Sequence, residues 1–295
     1  MRSELRLDLP PGYRTRDVLA FHSRDAEGLA EQVGPAGLRK GVLLGGVPVV
    51  LDVGFGTDAA RCAVDADDEL TAALLEQARA ALLNILGLRI DPAAFAAFVR
   101  DDPVLGPAVA RQPGLRIVQS ATIFEALTWA IIGQQINLPF AISLRRTFIG
   151  LAGRPHTSGL WCYPEAQDVA RLTLEDLTSR KFSRAKAETL LRFAQLVAEG
   201  GLVLDRERPV DEVVQELLAV KGIGPWTVNY ALLRGYGYPD CSLEGDVAIR
   251  TALHRLLGGD ARPGIAAAQQ LLAPYAPHRT MAAAYLWASL SDTAA

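Results

Sequence analysis

Between Leu217 and Leu232 an apolar helical pattern is broken by Lys221-Gly-Ile-Gly-Pro225 and then resumes. Two glycines around one apolar residue make a tight turn, and proline suits the first position of a new helix. The chain must therefore join two helices almost back to back, with Ile223 expected to point into the core. Such a turn leaves backbone N–H groups unpaired at a helix start, with Lys221 beside them, which suits a phosphate. Alone, a Gly-x-Gly pair equally marks a plain helix–helix turn.

Upstream the texture is different. Glu4 to Leu9 alternates polar and apolar residues, the period of a half-buried strand. Gly41 to Val53 holds two apolar runs around Gly45-Gly46 and predicts a β-hairpin. Val33 to Lys40 and Thr57 to Asp65 read as loops or flanking strands, and Glu69 to Leu86 as a helix. From Asp91-Pro92, an N-cap and a first helical residue, the chain reads as helices with short breaks. Their expected spans are Thr122 to Gln135, Phe140 to Leu151, Thr173 to Leu177, Arg184 to Glu199, Val210 to Ala219, Trp226 to Leu233, Asp246 to Leu257, Ala266 to Leu272 and Thr280 to Leu290. The fold class is α+β: a small N-terminal antiparallel-sheet domain with helices over residues 1–90, then an all-α body. No repeat of 20–50 residues is visible.

Half of the 295 residues are apolar and 21% are charged, which excludes a disordered chain. The formal net charge of −3 argues against a general polyanion coat, while a local basic surface would suffice for nucleic acid. Arg180 to Lys186 carries Arg180, Lys181, Arg184 and Lys186 without an acid. It reads either as a solvated helix start or as a phosphate-contacting surface. Cys62, Cys162 and Cys241 are too far apart for a metal cluster and read as reduced thiols, so a cytoplasmic setting is the expectation. The opening MRSELRLDLPPGY has no apolar core of a leader. Ala126 to Leu144 is apolar but contains Gly133, Gln134, Gln135, Asn137 and Pro139, which speaks for a buried soluble segment over a membrane span.

Asp246 lies 22 positions after Gly224 and opens the next helix, Gly-Asp-Val-Ala-Ile-Arg. An isolated aspartate there is simply an N-cap. Together with Leu-x-x-Val-Lys-Gly-Ile-Gly-x-Trp-Thr, however, it resembles the helix-hairpin-helix base-excision DNA glycosylases. Ile131-Ile-Gly-Gln-Gln-Ile136, Lys221 to Tyr230 and the late Ala284-Tyr-Leu-Trp287 are similar to the AlkA-like branch, the DNA-3-methyladenine glycosylase II type. The resemblance covers nearly the whole chain, less closely before residue 90. It implies a body of two helical subdomains, residues 91–114 with 238–295 and residues 115–237, the second ending in the hairpin at about 217–233.

The resemblance implies Asp246 as the catalytic carboxylate, facing the positive charge that builds on deoxyribose as the glycosidic bond breaks. The family often carries a second acid just before this aspartate, where this chain has Gly245. An extruded base needs an aromatic pocket, and Trp226, Tyr230, Trp287 and Phe21 are its candidates. Trp226 and Tyr230 are four apart and share a helix face. Electron-rich rings suit a base made cationic by alkylation. Lys221, Gly222, Ile223, Gly224 and Thr227 are the expected hairpin contacts to DNA, with Gln134 and Gln135 in the turn that would wedge into the duplex. Strand-cleaving relatives such as endonuclease III carry a lysine nucleophile where this chain has Trp226, so the resemblance implies a monofunctional enzyme.

The expected partner is double-stranded DNA containing damaged bases, with no membrane, and a monomer is expected. Localisation would be cytoplasmic, at the nucleoid in a bacterium. No cofactor is expected, apart from a monovalent cation that the family implies at the hairpin loop. Two other readings stay open on sequence alone: a glycosylase for deaminated bases, and a non-catalytic DNA-binding module.

Overall fold

The computed structural model describes residues 1–291. Its first part is a five-stranded antiparallel sheet of β1 (Arg2–Asp8), β2 (Glu31–Gly34), β3 (Gly37–Leu44), β4 (Val47–Phe55) and β5 (Ala59–Ala66), in the order β1-β5-β4-β3-β2. The hairpin closes at Gly45-Gly46, both at positive φ, with Leu44 opposite Val47. Of the two stretches that read as loops or flanking strands, the second forms β5 and the first holds the end of β2 and the start of β3. Helix α1 (Thr15–His22) was not expected; its first turn has no side-chain cap, and it is short and polar. In α2 (Ala72–Ile85), capped by Thr71, Leu74, Ala78, Leu82 and Ile85 are buried in the core that includes Val42, Leu51 and Val64.

The remainder is mostly helical: α3 (Pro92–Phe98), α4 (Gly106–Arg111), α5 (Ile123–Gly133), α6 (Leu138–Ala152), α7 (Ala166–Val169), α8 (Leu174–Thr178) and α9 (Arg184–Ala198). Then follow α10 (Val210–Ala219), α11 (Pro225–Ala231), α12 (Val247–Leu257), α13 (Ile265–Leu272) and α14 (Arg279–Ser291). Asp91 caps α3 by accepting from the Ala93 N–H, with Pro92 at the first helical position. The last helices return to the first of this part: α14 packs on α3, α4 and α12, and Tyr285 stacks on Phe95 with centroids 5.7 Å apart. A two-stranded ribbon of β6 (Arg154–Pro155) and β7 (Trp161–Cys162) interrupts the helices.

Sheet and helices are interlocked. Just after β7, Tyr163 donates its N–H to Gly41 O and accepts from Leu43 N–H, a parallel bridge onto β3. A side chain at Gly41 would lie 2.1 Å from Trp161 O, so only glycine admits this approach. Beneath the junction, Lys40 is 1% exposed and binds Glu31 at 2.5 Å and Glu125 of α5 at 2.8 Å. Arg145 of α6 reaches the same two carboxylates at 3.3 and 2.8 Å. His22 Nδ1 completes the cluster 2.9 Å from Glu31.

One expected helix changes character. The spacing predicts α11 through Leu233, but the α-helix stops at Ala231 and Leu232–Tyr236 forms a π-helical turn. That turn lies on α5 so closely that a side chain at Gly235 would come within 2.9 Å of Ala126 Cβ. Gly237, at φ +70°, ends it in the left-handed region. The wide turn aims Arg234 inward, where it is 8% exposed.

Candidate active site

The hairpin is built as its sequence requires. Ile223 is buried between α10 and α11, Gly224 caps α11, and Pro225 takes the first helical position. Gly222 has φ +99°, and a Cβ there would meet Thr189 Oγ1 at 2.0 Å. Gly224 is extended at φ −109° with open space around it, so the two glycines are not equivalent. Lys221 is exposed.

The turn after α5 packs against this hairpin. Gln134 Nε2 donates to Gly222 O at 3.0 Å and to Thr227 Oγ1 at 2.9 Å. Thr227 is 2% exposed. The side chains of Gln134 and Thr227 thus brace the hairpin; Thr227 is buried there, which corrects the expectation that its side chain reaches DNA, while Gln134 is half-buried. Gln135 is exposed and holds φ +56°, a conformation costly for a residue with a side chain. The structure also corrects the reading of Lys186 as part of a phosphate-contacting surface. Its ammonium turns inward onto the carbonyls of Ile131, Ile132 and Gln134 at 3.2, 2.6 and 2.9 Å, capping the C-terminus of α5. Burial lowers its pKa to about 8.

Asp246 stands across from the hairpin at the start of α12. Oδ1 accepts from the Ile249 N–H at 3.0 Å, so Asp246 is the N-cap. It is also more than that. Oδ2 accepts from Trp226 Nε1 at 3.0 Å, and Trp287 Nε1 lies 3.4 Å from Oδ1. Two indoles from different helices therefore converge on one carboxylate. A carboxylate offers about four acceptor positions, so three donors do not exhaust it.

Around the carboxylate the rings form a continuous wall. Trp226 and Tyr230 have centroids 5.3 Å apart, and Tyr230 and Trp287 6.3 Å. Phe21 of α1 joins them through Arg234, whose guanidinium carbon is 4.9 Å from the Phe21 centroid and 5.3 Å from that of Trp287. Trp129 of α5 fixes Tyr230 by donating to its hydroxyl at 3.0 Å. Trp226 and Trp287 thus meet on Asp246 with Tyr230 beside both, and Phe21 is linked to this group through Arg234. Sequence reasoning missed Arg234 and Trp129. The signal for Arg234 was present, since positions 226, 230 and 234 recur every four residues.

Among the hairpin carbonyls, Lys221 O accepts from Arg192 Nη1 at 3.1 Å and Gly222 O from Gln134 Nε2 at 3.0 Å. Among the described residues no helix is long and apolar enough to cross a membrane.

Known proteins share this arrangement of elements. A 3-methyladenine DNA-glycosylase from Archaeoglobus fulgidus superposes with a TM-score of 0.81 at 22% identity, over 96% of this chain and 97% of that one. In sequence, the chain is 31% identical over 198 residues to a DNA-3-methyladenine glycosylase of Bacillus subtilis, covering 65% of each. It is 28% identical to DNA-3-methyladenine glycosylase 2 of Escherichia coli, over 62% of this chain and 63% of the relative. The chain thus matches a little under two thirds of the length of these relatives. Residues 128–277, which include the hairpin and Asp246, match the family model described as HhH-GPD superfamily base excision DNA repair protein. A hairpin facing an indole-bound aspartate and a family match spanning both lead to one assignment: the chain belongs to the HhH-GPD superfamily of base excision DNA repair proteins.

Proposed function

We propose that the protein is a monofunctional DNA glycosylase of the 3-methyladenine glycosylase II type. It releases alkylated bases from duplex DNA by base flipping and hydrolysis of the N-glycosidic bond. The observation that carries this reading is the placement of Asp246 at an aromatic wall, with Trp226 on one oxygen and Trp287 near the other. The names of the relatives support the alkylated substrate class.

The mechanism follows from the residues. The hairpin holds the DNA backbone through Lys221 and its first-turn N–H groups, without reading sequence. The loop of Gln134 and Gln135 is fixed to the hairpin by Gln134 and to α5 by Lys186. Gln135, exposed at its tip, enters the duplex and fills the gap left by the extruded nucleotide. The base enters the space walled by Trp226, Tyr230, Trp287 and Phe21. As the glycosidic bond breaks, positive charge on the sugar is stabilised by the Asp246 carboxylate, and water completes the hydrolysis. Trp226 occupies the place of the lyase lysine, and its indole holds Asp246 in position.

The test is incubation with duplex DNA methylated by an alkylating agent, followed by chromatography of the released bases. Release of 3-methyladenine and 7-methylguanine with an intact, alkali-labile strand is the expected result. DNA binding without release would favour a non-catalytic module.

A further inference from the structure

Arg234 is the one site residue that an aromatic pocket for cationic bases does not call for. Its guanidinium lies over three rings, 4.9 Å from the Phe21 centroid, 5.3 Å from Trp287 and 6.0 Å from Tyr230. Nη1 donates to Val118 O. Nε is buried and donates to no acceptor among the described residues. A buried donor left unmatched is costly, the more so on a charged group. Beside it lies a cavity of about 440 Å3, walled by α1, residues 112–118 and α14, a size usual for small-molecule sites. Arg14, Arg24, Arg116 and Arg234 line it against a single acid, Asp17, which Arg14 already binds at 2.6 Å. The rings that would attract a cationic base therefore already face a cation, and the unmatched donor calls for an acceptor.

We propose that Arg234 acts on the leaving base: it holds an acceptor on the base edge and stabilises the electron pair the base gains when the glycosidic bond breaks. This rests on the reading of the pocket as the place of the extruded base. In the step, the C1′–N bond breaks with both electrons passing to the base nitrogen, and the sugar becomes an oxocarbenium ion. Water adds its oxygen to C1′ and gives up a proton. An alkylated, cationic base leaves neutral, and that proton goes to solvent. A neutral base leaves as an anion and ends with a proton from water. Either way the base becomes more negative by one charge, so a neighbouring cation lowers the barrier. The ground states differ. Arg234 repels a bound cationic base and attracts the carbonyl of a neutral one. Arg234 therefore contributes more to the release of a neutral, carbonyl-bearing base than to that of a cationic one.

The experiment uses two duplexes identical except for the target, hypoxanthine (neutral) or 7-methylguanine (cationic). Single-turnover rates are measured across enzyme concentration for wild type, R234Q and R234K. For hypoxanthine, R234Q should lower both the maximal rate and its ratio to the half-saturating concentration by about 100-fold. For 7-methylguanine the maximal rate should fall, but tighter binding should leave the ratio within about threefold of wild type. R234K should restore part of the hypoxanthine rate. Equal losses on the two bases, or no loss on either, would overturn the role of Arg234 and leave the glycosylase reading intact. Release of neither base by wild type would instead overturn the glycosylase reading, and the proposal with it. A second measurement needs no variant: quenching of indole fluorescence in the wild-type protein by free hypoxanthine and by the 7,9-dimethylguaninium ion. Hypoxanthine should bind at least about tenfold more tightly. Equal or tighter binding of the cation would refute the proposal even if R234Q fails to fold.

Discussion

Trp226 Nε1 donates to Asp246 Oδ2 over 3.0 Å, and this bond joins the hairpin half of the site to the α12 half. Asp246 also caps α12 through Oδ1. Asp246→Asn keeps an acceptor for the Ile249 N–H and the shape of the side chain, but removes its charge. Base release should fall at least about 100-fold, or roughly 3 kcal/mol, with duplex affinity near that of wild type. Asp246→Ala should lose the same activity and in addition about 1 kcal/mol of stability, because the cap is gone. If Asp246→Asn keeps more than about a tenth of the wild-type rate, Asp246 is not the catalytic group.

The two hairpin glycines should respond differently. Gly222→Ala forces a side chain into φ +99° and onto Thr189 Oγ1, 2.0 Å away, so it should cost about 1–3 kcal/mol. It should also weaken binding to every duplex alike, with the salt dependence of phosphate contacts kept for the remainder. Gly224→Ala meets no atom within 4 Å and should fold as well as wild type. Thermal melts and salt-series binding on two unrelated sequences decide this. A sequence-selective loss would contradict backbone recognition.

Lys40→Met should be among the most damaging changes far from the hairpin. Lys40 separates Glu31 and Glu125, which would otherwise share only Arg145 and His22. Breaking one partner of a buried ionic cluster costs about 3–5 kcal/mol. The surrounding cations also hold both glutamates below the ordinary carboxylate range against the opposing effect of burial. Their contribution is therefore present above the unfolded carboxylate pKa and lost as pH falls through the lower folded values. Wild type should lose stability on acidification more steeply than Lys40→Met. Parallel acid titrations of the two would contradict the assignment.

This cluster also marks what the sequence withholds. The sheet hairpin, the cap at Asp91 and the helix-hairpin-helix are local: turn residues and periodicity specify each within about a dozen positions. The same holds for Trp226 and Tyr230 on one helix face. Lys40 and Glu125 are 85 positions apart, and nothing near either residue shows the other. Lys186 reads as one more charge in a basic run, because its partners are backbone carbonyls with no sequence signature. Arg234 was within reach through its four-residue spacing, but its inward aim depends on the π-helical turn, which the pattern reads as ordinary helix.

Lys186 gives a pH signature of its own. Burial lowers its folded pKa to about 8, against about 10.4 for a free lysine. Between these values the unfolded chain binds more protons, so stability attributable to Lys186 should rise as pH increases from about 8 to 10. Comparing melts of wild type and Lys186→Met isolates this term. The gap between them should move in favour of wild type with rising pH, and a movement the other way would show that the carbonyl cage holds the charged ammonium firmly. Lys186→Met should also loosen the Gln134 and Gln135 turn and weaken duplex binding at every pH.

The last prediction concerns the abasic product. The resemblance to the helix-hairpin-helix glycosylases implies that Trp226 stands where strand-cleaving members carry a lysine, and its indole nitrogen is committed to Asp246 at 3.0 Å. An indole forms no imine with a ring-opened sugar, whereas a lysine amine does. Lys186, the amine lowered to about 8, is buried and donates to three carbonyls beneath the turn after α5. Borohydride should therefore trap no covalent adduct between the wild-type protein and damaged duplex, and the strand should break only after alkali or heat. Trp226→Lys would supply an amine but remove the donor to Asp246 and part of the pocket wall, so base release should drop even where some trapping emerges. Efficient trapping by the unaltered protein would show that another amine reaches C1′, and the monofunctional assignment would then be wrong.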